Sequence, residues 1–177
     1  MVWESGEVVQ LVGEDKRAWH AGVSSWQGDD DLNSRSIGIE IVNRGHDWPL
    51  DDGRLQPYPR SQVDAVIALA EGIKSRWSIP QGRIVGHSDI APARKDDPGE
   101  HFPWGTLAAA GISVWPQGQG EPVADAARAL AAIGYDTHDL KAAITAFQRR
   151  WSPDHINGEA DPETRGRISH VLEVLAG

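Results

Sequence analysis

Gly86-His87-Ser88-Asp89-Ile90-Ala91-Pro92-Ala93-Arg94-Lys95-Asp96-Asp97-Pro98-Gly99 gathers one histidine, one lysine and three carboxylates into a loop punctuated by proline and glycine. A loop so rich in titratable groups is costly to order unless the groups are used. Ile84-Val85 just before it reads as a short buried strand over 83–86, which puts His87 at a strand end. Pro92 and Pro98 stiffen the loop by fixing φ. A neutral imidazole and a carboxylate are both ordinary zinc ligands, so His87 and Asp97 can share one ion if the loop folds back. A solvated turn is the plain alternative, and it would suffice for a lone histidine or aspartate.

Working outward, Ser36 to Val42 alternates as a strand. Ile37, Ile39 and Ile41 share one face, and Gly38 and Glu40 share the other. Glu40 is therefore either a solvent-facing strand residue or a glutamate on the inner face of a site; periodicity leaves both open. Glu7 to Val12 reads as an earlier strand after the turn Ser5-Gly6. Trp26 to Ser34 reads as a polar loop whose Asp29-Asp30-Asp31 run faces water. Ser61 to Trp77 is the clearest helix, with Val63, Val66, Ile67, Ala70, Ile73 and Trp77 at helical spacing. Ser61 and Asp64 are placed as an N-cap pair, and Pro80 follows the helix.

Gly118 to Pro122 reads as a linker. Beyond it the texture becomes three helices. The first runs from Val123 to Ile133 and stops at Gly134. The second runs from His138 to Trp151 with Leu140, Ile144, Phe147 and Trp151 on one stripe. The third starts at the Asp161-Pro162 cap. The expected organisation is residues 1–117, a linker 118–122 and a small helical unit 123–177.

The chain has 177 residues, no cysteine and a formal net charge of −9. Thiolate zinc sites and disulfides are excluded, so any metal is held by histidine and carboxylate. An acidic chain without a basic stripe argues against nucleic acid and anionic membrane as partners. No apolar run is long enough to span a bilayer, and Met1 to Ser5 shows no signal-peptide pattern. Most of the eight tryptophans are expected in the core, with sugar stacking open to any exposed ones.

With these stretches assembled, residues 6–104 resemble the type 2, zinc-dependent N-acetylmuramoyl-L-alanine amidases, in the branch with a C-terminal peptidoglycan-binding domain. The resemblance rests on Gly6 to Val12, Arg17-Ala18-Trp19-His20-Ala21-Gly22, Ser36 to Asn43, Gly86 to Pro92, and Arg94 to Gly99 running on to Phe102-Pro103-Trp104. Ala146-Phe147-Gln148-Arg149-Arg150 and Asn157 to Asp161 resemble the helical wall-binding module.

The resemblance implies an α/β fold, a mixed central sheet flanked by helices, followed by the small three-helix domain. It implies hydrolysis of the amide between N-acetylmuramic acid and the L-alanine of the stem peptide. By motif position, His87 and Asp97 match zinc ligands, Glu40 the catalytic glutamate and Lys95 the lysine that stabilises the oxyanion. Trp19, His20 and Asn43 match cleft positions for substrate. The cofactor implied is one Zn2+, the partner peptidoglycan or muropeptides, and the location the cell envelope (periplasm). The family's first zinc ligand is a histidine on a strand ahead of Gly6 to Val12. That strand is expected to be missing here, leaving the amidase-like unit N-terminally incomplete with two ligands. The alternative reading is a non-catalytic peptidoglycan-binding protein that has lost stable zinc.

Overall fold

The computed structural model describes residues 1–176; Gly177, the last residue of the expected helical unit, lies outside them. The elements run in order β1 (Ser25–Trp26), β2 (Asp29–Asp30), α1 (Leu32–Arg35), α2 (Arg60–Trp77), α3 (His87–Ile90), α4 (Trp104–Ala109), α5 (Ala126–Ile133), α6 (Leu140–Trp151) and α7 (Pro162–Ala176). No helix among the described residues is long and apolar enough to cross a membrane.

The helices follow the sequence pattern closely because their signals are local. Asp125 caps α5 by accepting from the Arg128 N–H, and Asp139 caps α6 by accepting from the Ala142 N–H. Asp161 accepts from the Thr164 N–H at 2.8 Å ahead of Pro162, the first residue of α7. Helix α2 differs at its start. It begins at Arg60 after Pro59, and the Ser61 hydroxyl donates to the Glu4 carbonyl instead of capping. At its end Trp77 is 51 % exposed, with its indole N–H on Glu14.

The sheet is sparser than the alternating stretches predict. Val2 bridges Val8 antiparallel on one side and Ile41 parallel on the other. Buried Gln62 of α2 donates its amide to the Val2 and Val42 carbonyls and pins this ladder to the helix. The Val2 N–H donates to Glu40 O, and the Val42 N–H to Val2 O. In such a ladder the groups of the intervening residue point the other way. The N–H and C=O groups of Ile39 and Ile41 accordingly face away from Val2, and no backbone partner meets them among the described residues.

The expected strand over 83–86 is also unpaired. Gln81–Arg83 forms a 3₁₀ turn, the backbone then extends, and Val85 finds no backbone partner among the described residues. The only two-stranded pairing with named strands, among the described residues, is the β1–β2 hairpin. It falls where a polar loop is expected. Gln27 (φ 51°) and Gly28 (φ 80°) both take left-handed φ, the two-residue turn that suits strand twist. The acidic run beyond it is tied down: Asp29 pairs with Arg35 and Arg83, and Asp31 with Arg17.

Two cores result. Val2, Val63, Val66, Ala70, Phe102, Trp104 and Leu107 form one, with Ile39, Ile41 and Ile84 against it. Leu130, Ile133, Ala143, Phe147, Trp151 and Ile168 of the three C-terminal helices form the other, joined by Ala21, Trp26, Leu32, Ile90 and Ala91 from earlier in the chain. Trp115 packs against both. The tryptophans divide differently from the expectation: Trp26, Trp104 and Trp151 are buried, while Trp3, Trp19, Trp48 and Trp77 are exposed.

Between 36–42 and 84–86, over α2, lies a cleft of about 1010 Å3. Amide hydrogen exchange tests this arrangement. The Ile39, Ile41 and Val85 amides are expected to exchange orders of magnitude faster than the Val66 amide in α2 and the Phe147 amide in α6. Equal protection at Ile39 and Val66 would contradict the open edge.

Candidate active site

The cleft has two faces set by strand alternation. Ile39 and Ile41 turn toward α2 and the apolar core. Glu40 takes the opposite face and lines the cleft with His20 and His87. Glu40 is exposed there, as both readings of it allow. His20 lies directly on Gly38: a Cβ there would stand 2.5 Å from His20 Nδ1, so the imidazole occupies space that only glycine leaves. Its segment is held by Asn33, whose side-chain oxygen accepts from the His20 and Ala21 N–H groups at 3.0 and 2.9 Å.

His87 opens α3 instead of ending a strand. The loop that leaves α3 folds back, and the Ser88 N–H donates to Asp97 O at 2.9 Å. Gly86 permits this approach, since a Cβ there would lie 2.8 Å from Pro98 Cδ. His87 Nδ1 and Asp97 Oδ2 come to 3.1 Å. His87 Nε2 stands 3.2 Å from the Ala21 carbonyl oxygen, which also accepts from Arg94 at 2.7 Å. Partial burial pushes the Asp97 carboxyl up in pKa. The His87 hydrogen bond and charge, with Lys95 nearby, outweigh that and hold it below the usual range.

The donor chemistry can be tested against zinc. A ligating histidine characteristically gives its second ring nitrogen to a backbone carbonyl or carboxylate, which orients the first toward the metal. His87 has this arrangement, with Nε2 on Ala21 O and Nδ1 beside Asp97. The 3.1 Å separation suits adjacent ligands of a tetrahedral ion with bonds of about 2.0–2.2 Å. No cluster of three or more histidine, cysteine or carboxylate groups able to hold a metal occurs among the described residues. The described residues thus bring two candidate donors together, one fewer than the three protein ligands that a catalytic zinc takes.

The other expected residues are placed as follows. Trp19 is 83 % exposed at the cleft mouth, with the Arg17 guanidinium 4.4 Å from its ring centroid. Asn43 lines the cleft but makes internal bonds, donating to Gln56 O at 3.0 Å and accepting from the Gly45 N–H. Tyr58 was not singled out from the sequence. It donates to Pro98 O at 2.8 Å, and burial with the Asp97 charge pushes its phenol up to about 12. His101 stacks on Tyr58 at 5.0 Å between ring centroids.

The sequence reading also missed Asp89, Tyr135 and Arg150. Asp89 Oδ2 accepts from the Gly86 N–H at 2.7 Å and from Arg150 at 2.6 Å, and Oδ1 from the Tyr135 hydroxyl at 2.6 Å. Arg150 also donates to Ile84 O at 2.8 Å and lies against the rings of Trp104 and Trp151. A signal was present, because Arg150 sits three residues past Phe147, on the buried side of an amphipathic helix.

Comparison with known proteins fits this geometry. The family model for N-acetylmuramoyl-L-alanine amidase (Amidase_2) matches residues 1–100. The chain belongs to the N-acetylmuramoyl-L-alanine amidase family. It is 42 % identical over 185 residues to the N-acetylmuramoyl-L-alanine amidase AmiD of Escherichia coli, covering 93 % of this chain and 66 % of that protein. It is 44 % identical over 104 residues to the 1,6-anhydro-N-acetylmuramyl-L-alanine amidase AmpD of Enterobacter cloacae, covering 59 % of this chain and 51 % of that one. The chain thus spans between half and about two thirds of these relatives.

Among solved structures, E. coli AmiD in complex with the substrate anhydro-N-acetylmuramic acid-L-Ala-D-gamma-Glu-L-Lys superposes with a TM-score of 0.81 at 40 % identity. That match covers 95 % of this chain and 73 % of AmiD. AmpDh3 of Pseudomonas aeruginosa in complex with anhydromuramic pentapeptide gives 0.82 at 37 % identity, covering 94 % and 73 %. The family model ends at residue 100, while the likeness to these two structures extends across nearly all of the chain.

Burial holds both His20 and His101 below the ordinary histidine pKa of 6.5; for His20 the nearby His87 adds to this and the Glu40 charge opposes it. The unfolded chain then binds more protons than the folded one as pH falls through 6.5 toward the folded values. Their contribution to stability is complete above 6.5 and is lost below it. Both imidazole signals are expected to titrate below 6.5 by NMR, and denaturant unfolding to show a falling free energy from pH 7 toward 5. Titration of either ring above 6.5 would contradict its burial.

Proposed function

We propose that this chain carries the chemistry of a peptidoglycan amidase, hydrolysing the amide between N-acetylmuramic acid and the L-alanine of the stem peptide. The observation that carries the reading is the approach of His87 Nδ1 and Asp97 Oδ2 to 3.1 Å in a cleft that Glu40 and His20 also line. His87 and Asp97 would hold the zinc. The chemistry a bound zinc supplies is acidification of a water toward a pKa of about 7 and polarisation of the scissile carbonyl.

Glu40 acts as general base. It takes the proton of the attacking water as the new C–O bond forms, and returns it to the alanine nitrogen as the C–N bond breaks. The products are the lactyl carboxylic acid and a free α-amine, so atoms and charge balance. The Lys95 ammonium stabilises the developing oxyanion, a donor worth about 3 kcal/mol in comparable sites. Trp19 offers an exposed ring face to the sugar, and His20 and Asn43 shape the adjoining cleft.

Residues 1–117 are the amidase unit in this reading. Residues 123–177, joined through 118–122, add a helical unit for peptidoglycan. The solved relatives hold muropeptides, and we extend that substrate class, with a cell-envelope location, to this chain. Nucleic acid is not a partner of so acidic a chain.

A second reading has its own observation: the described residues bring two zinc donors together, not three. It makes the chain a peptidoglycan-binding protein without turnover. Incubation of the zinc-supplemented chain with an anhydromuramyl peptide, with mass spectrometry of the products, separates the two. The amidase reading predicts release of the intact stem peptide with a free L-alanine amine. Glu40→Gln is expected to lower kcat by about 10²–10⁴ while leaving zinc content unchanged. Full activity in Glu40→Gln would overturn its role. Retention on peptidoglycan with no cleavage and no bound zinc would establish the second reading.

A further inference from the structure

His87 and Asp97 stand on two arms of one loop, 84–90 and 94–100. Among the described residues neither arm is held by strand pairing, and Val85 has no backbone partner. Besides the Ser88–Asp97 backbone bond between them and the Tyr58 bond to Pro98 O, both arms are contacted by adjacent residues at the C-terminal end of α6. Neighbouring side chains on a helix diverge by about 100°, and here each takes a different arm.

Arg150 takes the His87 arm. It bonds Ile84 O at 2.8 Å and Asp89 Oδ2 at 2.6 Å, on either side of His87, and its side chain is 3 % exposed. Arg149 takes the Asp97 arm. It pairs with Asp96 at 2.8 Å and approaches Glu100 at 3.8 Å, on either side of Asp97.

We propose that Arg149 and Arg150 are positioning residues, a two-pronged clamp that sets the separation of His87 and Asp97 from the far side of the C-terminal helices. Neither touches substrate or the reacting atoms. Arg150 acts through Asp89 and Ile84, and Arg149 through Asp96 and Glu100. The helical unit then serves the donor pair through these neighbours, in addition to any contact with the wall. The functional meaning of the clamp rests on the amidase reading above; its geometry does not.

The two prongs differ in what else they support. Arg150 is buried in an ion pair, so its loss also strikes the fold. Asp96 is 66 % exposed, and such a pair adds little to stability. Arg149 is therefore the cleaner test.

The experiment uses the whole 177-residue chain, metal-free, at fixed pH. The variants are Arg149→Met, Arg149→Lys, Arg150→Met and Arg150→Lys, with melting temperature and long-range 15N–1H NMR of the His87 ring as readouts. Arg149→Met is expected to melt close to the parent chain yet shift or broaden the His87 Nδ1 signal as pairing with Asp97 is lost. Arg149→Lys is expected to restore the signal. Zinc affinity by chelator competition is expected to fall in Arg149→Met, by no more than the roughly 10- to 100-fold lost with groups bonded directly to metal ligands. An unchanged His87 signal in Arg149→Met and in whichever Arg150 variants fold would overturn the clamp, whatever the melting temperatures. A His87 response without muropeptide cleavage by the parent chain would uphold the clamp and overturn the amidase reading instead.

Discussion

The Asp89–Arg150 ion pair is the contact on which the arrangement depends. Both side chains are almost fully buried, at 1 % and 3 % exposure. Removing two charges from water is costly, and the attraction between them compensates only when the remaining hydrogen-bonding capacity is filled. Here most of it is. The carboxylate also accepts from the Gly86 amide and the Tyr135 hydroxyl, and the second guanidinium nitrogen reaches Ile84 O. Trp104 and Trp151 stack on the guanidinium, at 4.1 and 4.4 Å from its carbon to the ring centroids. Within this group, Arg150 Nε has no hydrogen-bond partner among the described residues.

This contact joins the two cores. Trp104 belongs to the core built on α2, while Trp151 and Tyr135 belong to that of the C-terminal helices. The segment clamped between them is 84–89. Removing either charge would strand the other in a site of low polarity, which typically costs 3–5 kcal/mol. The fold therefore places a buried pair that neither partner can leave cheaply beside His87. The C-terminal helices also bury Ala21, Trp26, Leu32, Ile90 and Ala91 from the earlier part of the chain.

How much of this was legible in the sequence depends on how local each signal is. Helices α2, α5, α6 and α7 announce themselves through periodicity and through Asp125, Asp139 and Asp161, whose capping bonds span three residues. The β1–β2 hairpin was hidden because Gln27 takes a left-handed φ that its residue type does not advertise. The alternation of 36–42 was visible, and it correctly set Glu40 opposite Ile39 and Ile41. What it faces was not visible, since pairing depends on distant partners. The loop of His87 and Asp97 was found by its chemistry and its family wording. Its support was missed because Arg150 lies sixty residues further on, in a stretch that reads as a self-contained helical unit.

The most direct test of the account is a double-mutant cycle across the buried pair. Denaturant unfolding would be measured for the parent chain, Asp89→Asn, Arg150→Met and the double variant. If the pair governs the fold as described, each single variant is strongly destabilised, and the double loses less than the sum by more than about 1 kcal/mol, as coupled groups do. Additivity within about 0.5 kcal/mol would contradict it, because it would mean the two charges act independently.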